Sequence, residues 1–281
     1  MLCSLIASFS YVIAPVADMR EQPADASEIV SQVYFSESVH ILEDQGQWVK
    51  IENEVDGYIG WVGKKALCSR KDSFLSGTGK TIAKVNSLRA HLYDVQDTVY
   101  GPTLTLPFES QLCVLDPLDS SSKTRWIKVS LPDGQDGYIQ RADVLMNPTT
   151  ISVTEMCLLS RRFLDLRYYW GGRSSFGYDC SGFVQMLYRQ MGVFLPRDSR
   201  DQIKSPLLRE TSLDKLQPGD LIFFGLDESK ICHVGMYLGD DHFIHSSPTE
   251  NAPYIHISTL SAPQWSGSGR CSYRALRTLA H

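Results

Sequence analysis

No stretch of the chain approaches the roughly 18–20 uninterrupted apolar residues that a membrane-spanning helix needs, which argues against a spanning protein. Basic charge is not in excess: 27 Lys plus Arg stand against 32 Asp plus Glu, a net charge of −5. Non-specific nucleic-acid binding, which depends on a basic surface, is therefore not expected. Cys-x-x-Cys is missing among the seven cysteines (Cys3, Cys68, Cys113, Cys157, Cys180, Cys232, Cys271), so neither a zinc ribbon nor a thioredoxin-type site is written here. The odd number leaves at least one unpaired, and scattered single cysteines fit a reducing compartment. Lys and Arg are missing before Arg20, and no small-residue cleavage site follows the apolar start (Leu2, Cys3, Leu5, Ile6, Ala7, Phe9). Met1 to Ala17 is thus expected to stay uncleaved, with Tyr11-Val-Ile-Ala-Pro-Val-Ala opening a first strand.

What is present is an ordinary globular composition, 43% apolar and 21% charged in 281 residues, enough for about two domains. The strongest internal signal is a repeat. Trp48-Val-Lys-Ile and Asp56-Gly-Tyr-Ile are echoed by Trp126-Ile-Lys-Val and Asp136-Gly-Tyr-Ile, and Ser38-Val-His-Ile-Leu by Gln111-Leu-Cys-Val-Leu. Each unit reads as short alternating runs bounded by Gly, Asp, Asn or Pro, the pattern of half-buried antiparallel strands. A period of about 75 residues is too long for a solenoid and fits two tandem small barrels. Ser120-Ser-Ser-Lys-Thr widens a loop in the second. Gly77-Thr-Gly-Lys-Thr81 resembles the end of a phosphate-binding loop, but Phe74 stands where its first glycine belongs, and a linker is expected instead.

Asn147-Pro148 marks a boundary. Beyond it Ser152-x-x-Glu155 is a capping box opening a helix of about a dozen residues through Leu164, with Val153, Met156, Leu159 and Phe163 on its apolar face. The expected domains are 1–72, 73–148 and 149–281.

Tyr168-Tyr-Trp-Gly-Gly-Arg-Ser-Ser-Phe-Gly-Tyr-Asp-Cys-Ser-Gly-Phe183 is a glycine-rich approach to a cysteine. Apolar Phe183, Val184, Leu187 and Met191 follow, with Gly192 as the stop, so Cys180 falls in the first turn of a helix. The positive end of the helix dipole favours a thiolate there. A thiolate nucleophile needs a base. His233 opens an alternating strand to Leu238, and His242-Phe-Ile-His-Ser246 forms the next. With a three-residue loop, Gly239 to Asp241, Leu238 pairs with His242, His245 faces Gly235, and His233 is its diagonal neighbour about 7–8 Å away. The spacing permits a Cys180–His233–His245 arrangement in which the third residue orients the base. His242 and His245 lie on opposite strand faces and lack further ligands, so a metal site is not indicated. Cys232 points away from the active face and is read as packing. Singly, each of these residues is more often structural.

Tyr-x-Trp-Gly-Gly, Asp-Cys-Ser-Gly-Phe, Leu-Pro-Arg-Asp-Ser-x-x-Gln, Leu-x-Pro-Gly-Asp-Leu-x-Phe-Phe and His-Val-Gly-Met-Tyr-Leu-Gly with a later Phe-Ile-His resemble the NlpC/p60 cysteine peptidases over about residues 150 to 281. The repeated units resemble bacterial SH3-like domains. The resemblance implies an α+β class: a papain-like catalytic domain preceded by two small all-β barrels. It also implies Cys180 as nucleophile, His233 as base, His245 as orienter, and Tyr168 stabilising the oxyanion beside the Cys180 N–H. Asp179, Ser181, Arg197 and Ser199 match positions lining the substrate groove, Arg197 to hold a peptide carboxylate bidentately. Asp179 can equally cap the helix, and Arg197 can be a solvated loop charge.

The implied reaction is hydrolysis of the γ-D-glutamyl–diamino acid amide bond in peptidoglycan stem peptides, with no cofactor. In resembling members the first barrel closes one end of the groove, which selects a free N-terminal L-Ala. Glu28, Tyr58 and Trp61 are the candidates for meeting its ammonium, the alternative being a solvent-facing Glu and two core aromatics. Acyl transfer on the same fold and non-catalytic wall binding are the competing functions. The expected partners are stem peptides or their fragments, with the chain acting as a monomer in the cytoplasm, or in the periplasm or cell wall if Met1 to Ala17 is exported.

Overall fold

The computed structural model describes residues 9–75, 80–115, 124–249, 251–266 and 272–280. Met1–Ser8, most of the Gly77–Thr81 segment, Ser120–Lys123, Cys3 and Cys271 lie outside the described residues. The chain divides into two compact units, Met1–Thr149 and Thr150–His281. No described helix is long and apolar enough to cross a membrane.

Among the described residues the first unit holds fourteen strands in two sheets. β1 (Phe9–Val12), β2 (Val16–Arg20), β3 (Ile29–Tyr34), β4 (Ser38–Gln45), β5 (Trp48–Asn53), β6 (Ile59–Gly63) and β7 (Leu67–Arg70) pair in the order β3-β2-β6-β5-β4-β1-β7. β8 (Thr81–Val85), β9 (Arg89–Tyr93), β10 (Leu104–Pro107), β11 (Gln111–Val114), β12 (Trp126–Ser130), β13 (Asp136–Gln140) and β14 (Val144–Met146) pair as β10-β9-β13-β12-β11-β8-β14. The second order is the first shifted by seven strands, and both sheets place a one-turn 3₁₀ helix before their last strand. The sequence repeat is therefore a repeat of topology. Alternation builds both cores: Val49 and Ile51 on β5, and Ile127 and Val129 on β12, point inward and are at most 1% exposed.

The two sheets are joined by side chains. Phe35 belongs to the second sheet's core, beside Leu106, Leu112 and Val144. The Tyr34 hydroxyl donates to Glu109 (3.4 Å), and Gln111 N–H donates to the Ser36 hydroxyl (2.8 Å). Glu109 is in turn held from its own side by Lys84, 3.4 Å away. Of the aromatics expected to meet substrate, Tyr58 packs against the valine-rich core and Trp61 is 6% exposed with the Lys50 ammonium 5.9 Å from its ring centroid. Glu28 is exposed.

The second unit is mixed. Its elements are α1 (Val153–Ser160), β15 (Arg173–Ser174), β16 (Gly177–Tyr178), α2 (Cys180–Gln190), α3 (Ser199–Gln202), β17 (Leu208–Glu210), β18 (Leu221–Gly225), β19 (Ile231–Gly239), β20 (His242–Ser246), β21 (Ile255–Thr259), α4 (Pro263–Ser266) and β22 (Tyr273–Leu279). The capping box at Ser152 and Glu155 forms as its sequence requires. The helix ends at Ser160, however, and a 3₁₀ turn over Arg161–Phe163 replaces its expected last turn. Met156 and Phe163 are buried while Val153 is exposed, so the apolar face is narrower than the spacing suggested. Six strands form an antiparallel sheet, β17-β22-β18-β19-β20-β21. Leu221 to Phe224 are all fully buried, so both faces of β18 are covered. α2 packs along β19 and β20, which brings its first turn to the sheet.

Candidate active site

Cys180 is the first residue of α2, and Asp179 is its cap, accepting from Gly182 N–H at 2.7 Å. The turn is pressed against the glycine-rich loop: a Cβ on Gly182 would lie 2.3 Å from the Gly172 carbonyl, so no side chain fits there. Asp179 N–H donates to that same carbonyl at 3.0 Å.

The Leu195-Pro-Arg-Asp-Ser-x-x-Gln202 segment closes on this turn. The Arg197 guanidinium donates to both Asp179 carboxylate oxygens (Nη1–Oδ1 3.1 Å, Nη2–Oδ2 2.5 Å) and to the Ser181 hydroxyl at 2.9 Å. Its side chain is 1% exposed. This corrects the expectation that Arg197 holds a substrate carboxylate: its fork is taken up by Asp179, and the ion pair is buried and well hydrogen-bonded, as such a pair must be to persist. Asp179 acts as cap and ion-pair partner, and Ser181 bonds Asp179 and Arg197. Gln202 extends the same support, its amide donating to the carbonyls of Ser181 (3.0 Å) and Pro196 (2.9 Å). Ser199 is buried at the start of α3.

The histidines come from the β19–β20 hairpin. His233 Nε2 lies 2.8 Å from His245 Nδ1, so the two share a face, but the turn that achieves this differs from expectation. Gly239, not Leu238, pairs with His242, leaving a two-residue turn at Asp240 and Asp241. Both have positive φ (49° and 64°), as a type I′ hairpin turn requires. A two-residue turn alone would put His245 on the wrong face. A bulge between Tyr237 and Gly239 adds one residue to β19 and restores the parity, so Met236 pairs with Ile244. His245 then abuts Gly235, where a Cβ would lie 3.2 Å from its own.

The Cys180 sulfur accepts from the backbone N–H groups of Val234, next to His233, and of Ser181. Ser246, next to His245, donates through its hydroxyl to the Tyr178 carbonyl at 2.7 Å and ties β20 to the residue before Asp179. Tyr168 is half-buried, held by its N–H on the Pro253 carbonyl (2.8 Å). Burial, then the charges of Cys180 and Asp179, push its hydroxyl above the usual tyrosine range, so it remains an O–H donor.

Charge is costly in this site. Burial, then the Asp179 carboxylate, pushes the Cys180 thiol up to about 12, outweighing the two N–H donors and Arg197. The helix-terminus expectation of a resting thiolate is thus overturned by desolvation. Burial, then His256, takes His233 down to about 3, and burial with both neighbouring imidazoles depresses His245. The resting pair is neutral. Proton transfer from Cys180 to His233 makes both charges together, each offsetting the other in a low-dielectric site. Among the described residues no group of three His, Cys, Asp or Glu side chains is placed to hold a metal ion.

A family model described as the NlpC/P60 family matches residues 165–272, and one described as a bacterial dipeptidyl-peptidase Sh3 domain matches residues 19–67. The gamma-D-glutamyl-L-lysine dipeptidyl-peptidase of Bacillus cereus is 31% identical over 256 residues, 85% of this chain and 73% of the relative. The chain belongs to the NlpC/P60 family. The protein of the same name in Bacillus subtilis is 30% identical over 249 residues, 83% of this chain and 76% of the relative. A solved NlpC/P60 family protein from Bacillus cereus shares the fold, with a TM-score of 0.82 at 24% identity over 96% of this chain and 99% of that one.

Within the NlpC/P60 unit, three residues at the site went unread in the sequence. Ser258 lies on β21 with its hydroxyl 3.0 Å from His245 Nε2, continuing the line from His233. His256, directly opposite His245, has its ring 4.4 Å away and its Nδ1 2.9 Å from the Tyr254 carbonyl. A carbonyl only accepts, so that nitrogen carries the proton. Trp265 stacks on His233. His256-x-Ser258 at period two was the available signal for the first two. Cys232 is exposed at the head of β19, not packed as expected.

Proposed function

We propose that this protein hydrolyses the γ-D-glutamyl–diamino acid amide bond of peptidoglycan stem peptides by thiol catalysis. The observation that carries this reading is the 2.8 Å His233–His245 contact beside a sulfur held by Val234 N–H. With His233 Nε2 engaged by His245, Nδ1 is the nitrogen left to take the thiol proton. Nε2–H then donates to His245 Nδ1, and His245 Nε2–H to Ser258. Cys180 attacks the D-Glu side-chain carbonyl as its proton passes to His233. The Cys180 N–H, one of the first-turn donors of α2 without an intrahelical partner, and the Tyr168 hydroxyl stabilise the oxyanion. Protonated His233 gives the leaving amine its proton, and water activated by the same imidazole releases the acyl group and regenerates the thiol. The bond assignment draws on the names of the two Bacillus relatives.

The finer domain reading is ours as well: SH3-like barrels over 1–72 and 73–148 and a catalytic domain over 149–281. The shared strand order supports a second barrel. We further assign the protein a preference for a free N-terminal L-Ala, with Glu28 as the acidic group for its ammonium, and action on free wall peptides in a reducing compartment.

The test is mass spectrometry of L-Ala-γ-D-Glu-diaminopimelate and its N-acetylated form, each incubated with the protein and with Cys180→Ala. Release of diaminopimelate from the free-amine peptide alone, and only with Cys180 present, is expected. Cleavage of both peptides removes the N-terminal preference, and cleavage of neither overturns the assignment. Glu28→Gln is expected to raise KM for the free amine several-fold and leave kcat unchanged.

A further inference from the structure

α4 is a single turn that delivers Trp265 into the apolar cluster of Ile222, Phe224, Phe243 and Leu276. The indole is 7% exposed. Its ring lies 6.0 Å from that of His233 at an interplanar angle of 20°, a stacked pair, and meets His245 edge-on at 5.2 Å and 90°. Phe224 and Phe243 contact the same two imidazoles, at 5.4 Å and 4.7 Å. The Trp265 indole N–H has no hydrogen-bond partner among the described residues. Phenylalanine or leucine would fill apolar volume here without burying an unbonded donor. Packing alone therefore does not account for an indole at this position.

What indole supplies beyond volume is the strongest cation-attracting face among the side chains. A neutral imidazole gains only stacking from it, whereas an imidazolium gains electrostatic attraction as well. His233 carries charge only after accepting the Cys180 proton, so the contact strengthens as the reaction begins, which is the condition for an interaction to raise kcat.

We propose that Trp265 is a positioning residue of the thiol–imidazole pair, orienting the His233 ring and stabilising it selectively in its protonated form. This rests on the reading of Cys180 as nucleophile and His233 as base. The titratable and charged groups around the thiol–imidazole pair are Cys180 on α2, the Tyr168 hydroxyl, His245 on β20 and His256 on β21, with Asp179 and Arg197 behind the thiol. α4 contributes no charged residue, so a substitution at Trp265 changes no charge there.

The test follows alkylation of Cys180 by iodoacetamide against pH, site-resolved by mass spectrometry with Cys180→Ala as blank, alongside kcat and KM on the tripeptide. In Trp265→Leu the alkylation rate near neutral pH is expected to fall about tenfold, the equivalent of a buried cation–π contact. The rate at high pH, where the thiolate forms without His233, should be unchanged. On the tripeptide kcat should fall with KM little altered, and Trp265→Phe should lie between Leu and the native residue. An equal fall at every pH, or Phe no better than Leu, overturns the proposal. Should W265L fail to fold, 5-fluorotryptophan labelling of the native chain weakens the π face without removing it. A reduced neutral rate then supports the proposal, and an unchanged one overturns it. A chain that alkylates as expected but leaves the tripeptide intact supports the role of Trp265 and overturns the substrate assignment only.

Discussion

Arg197 and Asp179 form the side-chain frame under the nucleophile, and the frame depends on the planar fork of a guanidinium. Lysine offers a point charge that cannot bond both carboxylate oxygens and the Ser181 hydroxyl together. Arg197→Met leaves a buried carboxylate unpaired and is expected to cost about 3–5 kcal/mol in urea denaturation, with activity lost in parallel. The identity of these residues was legible in the sequence, but their partners were not. An arginine in a Pro-Arg-Asp loop reads equally as a substrate clamp or a solvated charge until the chain 18 residues upstream is known to lie beneath it. The Cys180 thiol was misread for the same reason: a helix terminus is local, whereas burial is contributed by the whole unit.

The depressed histidines also act on stability. Unfolded imidazole takes up a proton below about pH 6.5, whereas His233 in place resists until about 3. The unfolded chain binds more protons across that window, so this contribution is fully present above pH 6.5 and lost as pH falls toward 3. Cys180 works in the opposite direction, its contribution present below pH 9.0 and lost as pH rises toward about 12. The unfolding free energy should therefore be highest between these limits. On the acid side each buried histidine contributes a slope of up to about 1.4 kcal/mol per pH unit, and His245→Asn should make that slope shallower.

Among elements, the β19–β20 hairpin shows how a correct conclusion can rest on an incorrect turn. Alternation placed His233 and His245 on one face by assuming an odd loop; the chain uses an even loop and a bulge, and parity is the same. Periodicity is legible because every residue of a strand contributes to it. A bulge has no comparable signature, since Leu238 looks like any strand residue. Deleting Leu238 removes the bulge yet leaves Tyr237 opposite Phe243 and Met236 opposite Ile244. The deletion variant is expected to keep peptidase activity of the same order, measured on the tripeptide. Ser258 and Trp265 were illegible for a further reason. Both act through later elements that reach the site only once the sheet and its apolar cluster have formed.

At the scale of the molecule, the first unit was legible as a repeat but not as one compact body. Phe35 lies in the turn after β3 yet completes the core of the second sheet, which no pattern within either repeat announces. Phe35→Ala is expected to lower the stability of the all-β unit by about 3–5 kcal/mol, read by calorimetry, since the cavity opens in a core the residue does not adjoin in sequence.

The identical strand order of the two sheets carries a liability for folding. In each sheet the last strand of the sequence pairs with the first, β7 on β1 and β14 on β8. Because the two blueprints coincide, an exchange of closing strands between tandem copies of one chain is topologically admissible, and neighbouring similar domains are prone to such misassembly. What opposes it is divergence of side chains on a shared scaffold: Ser10 and Tyr11 on β1 stand at the register positions that Ala83 and Lys84 occupy on β8. Dissimilarity between the repeats thus acts as a proofreading device during refolding, and making the two copies more alike would cost yield before it cost stability.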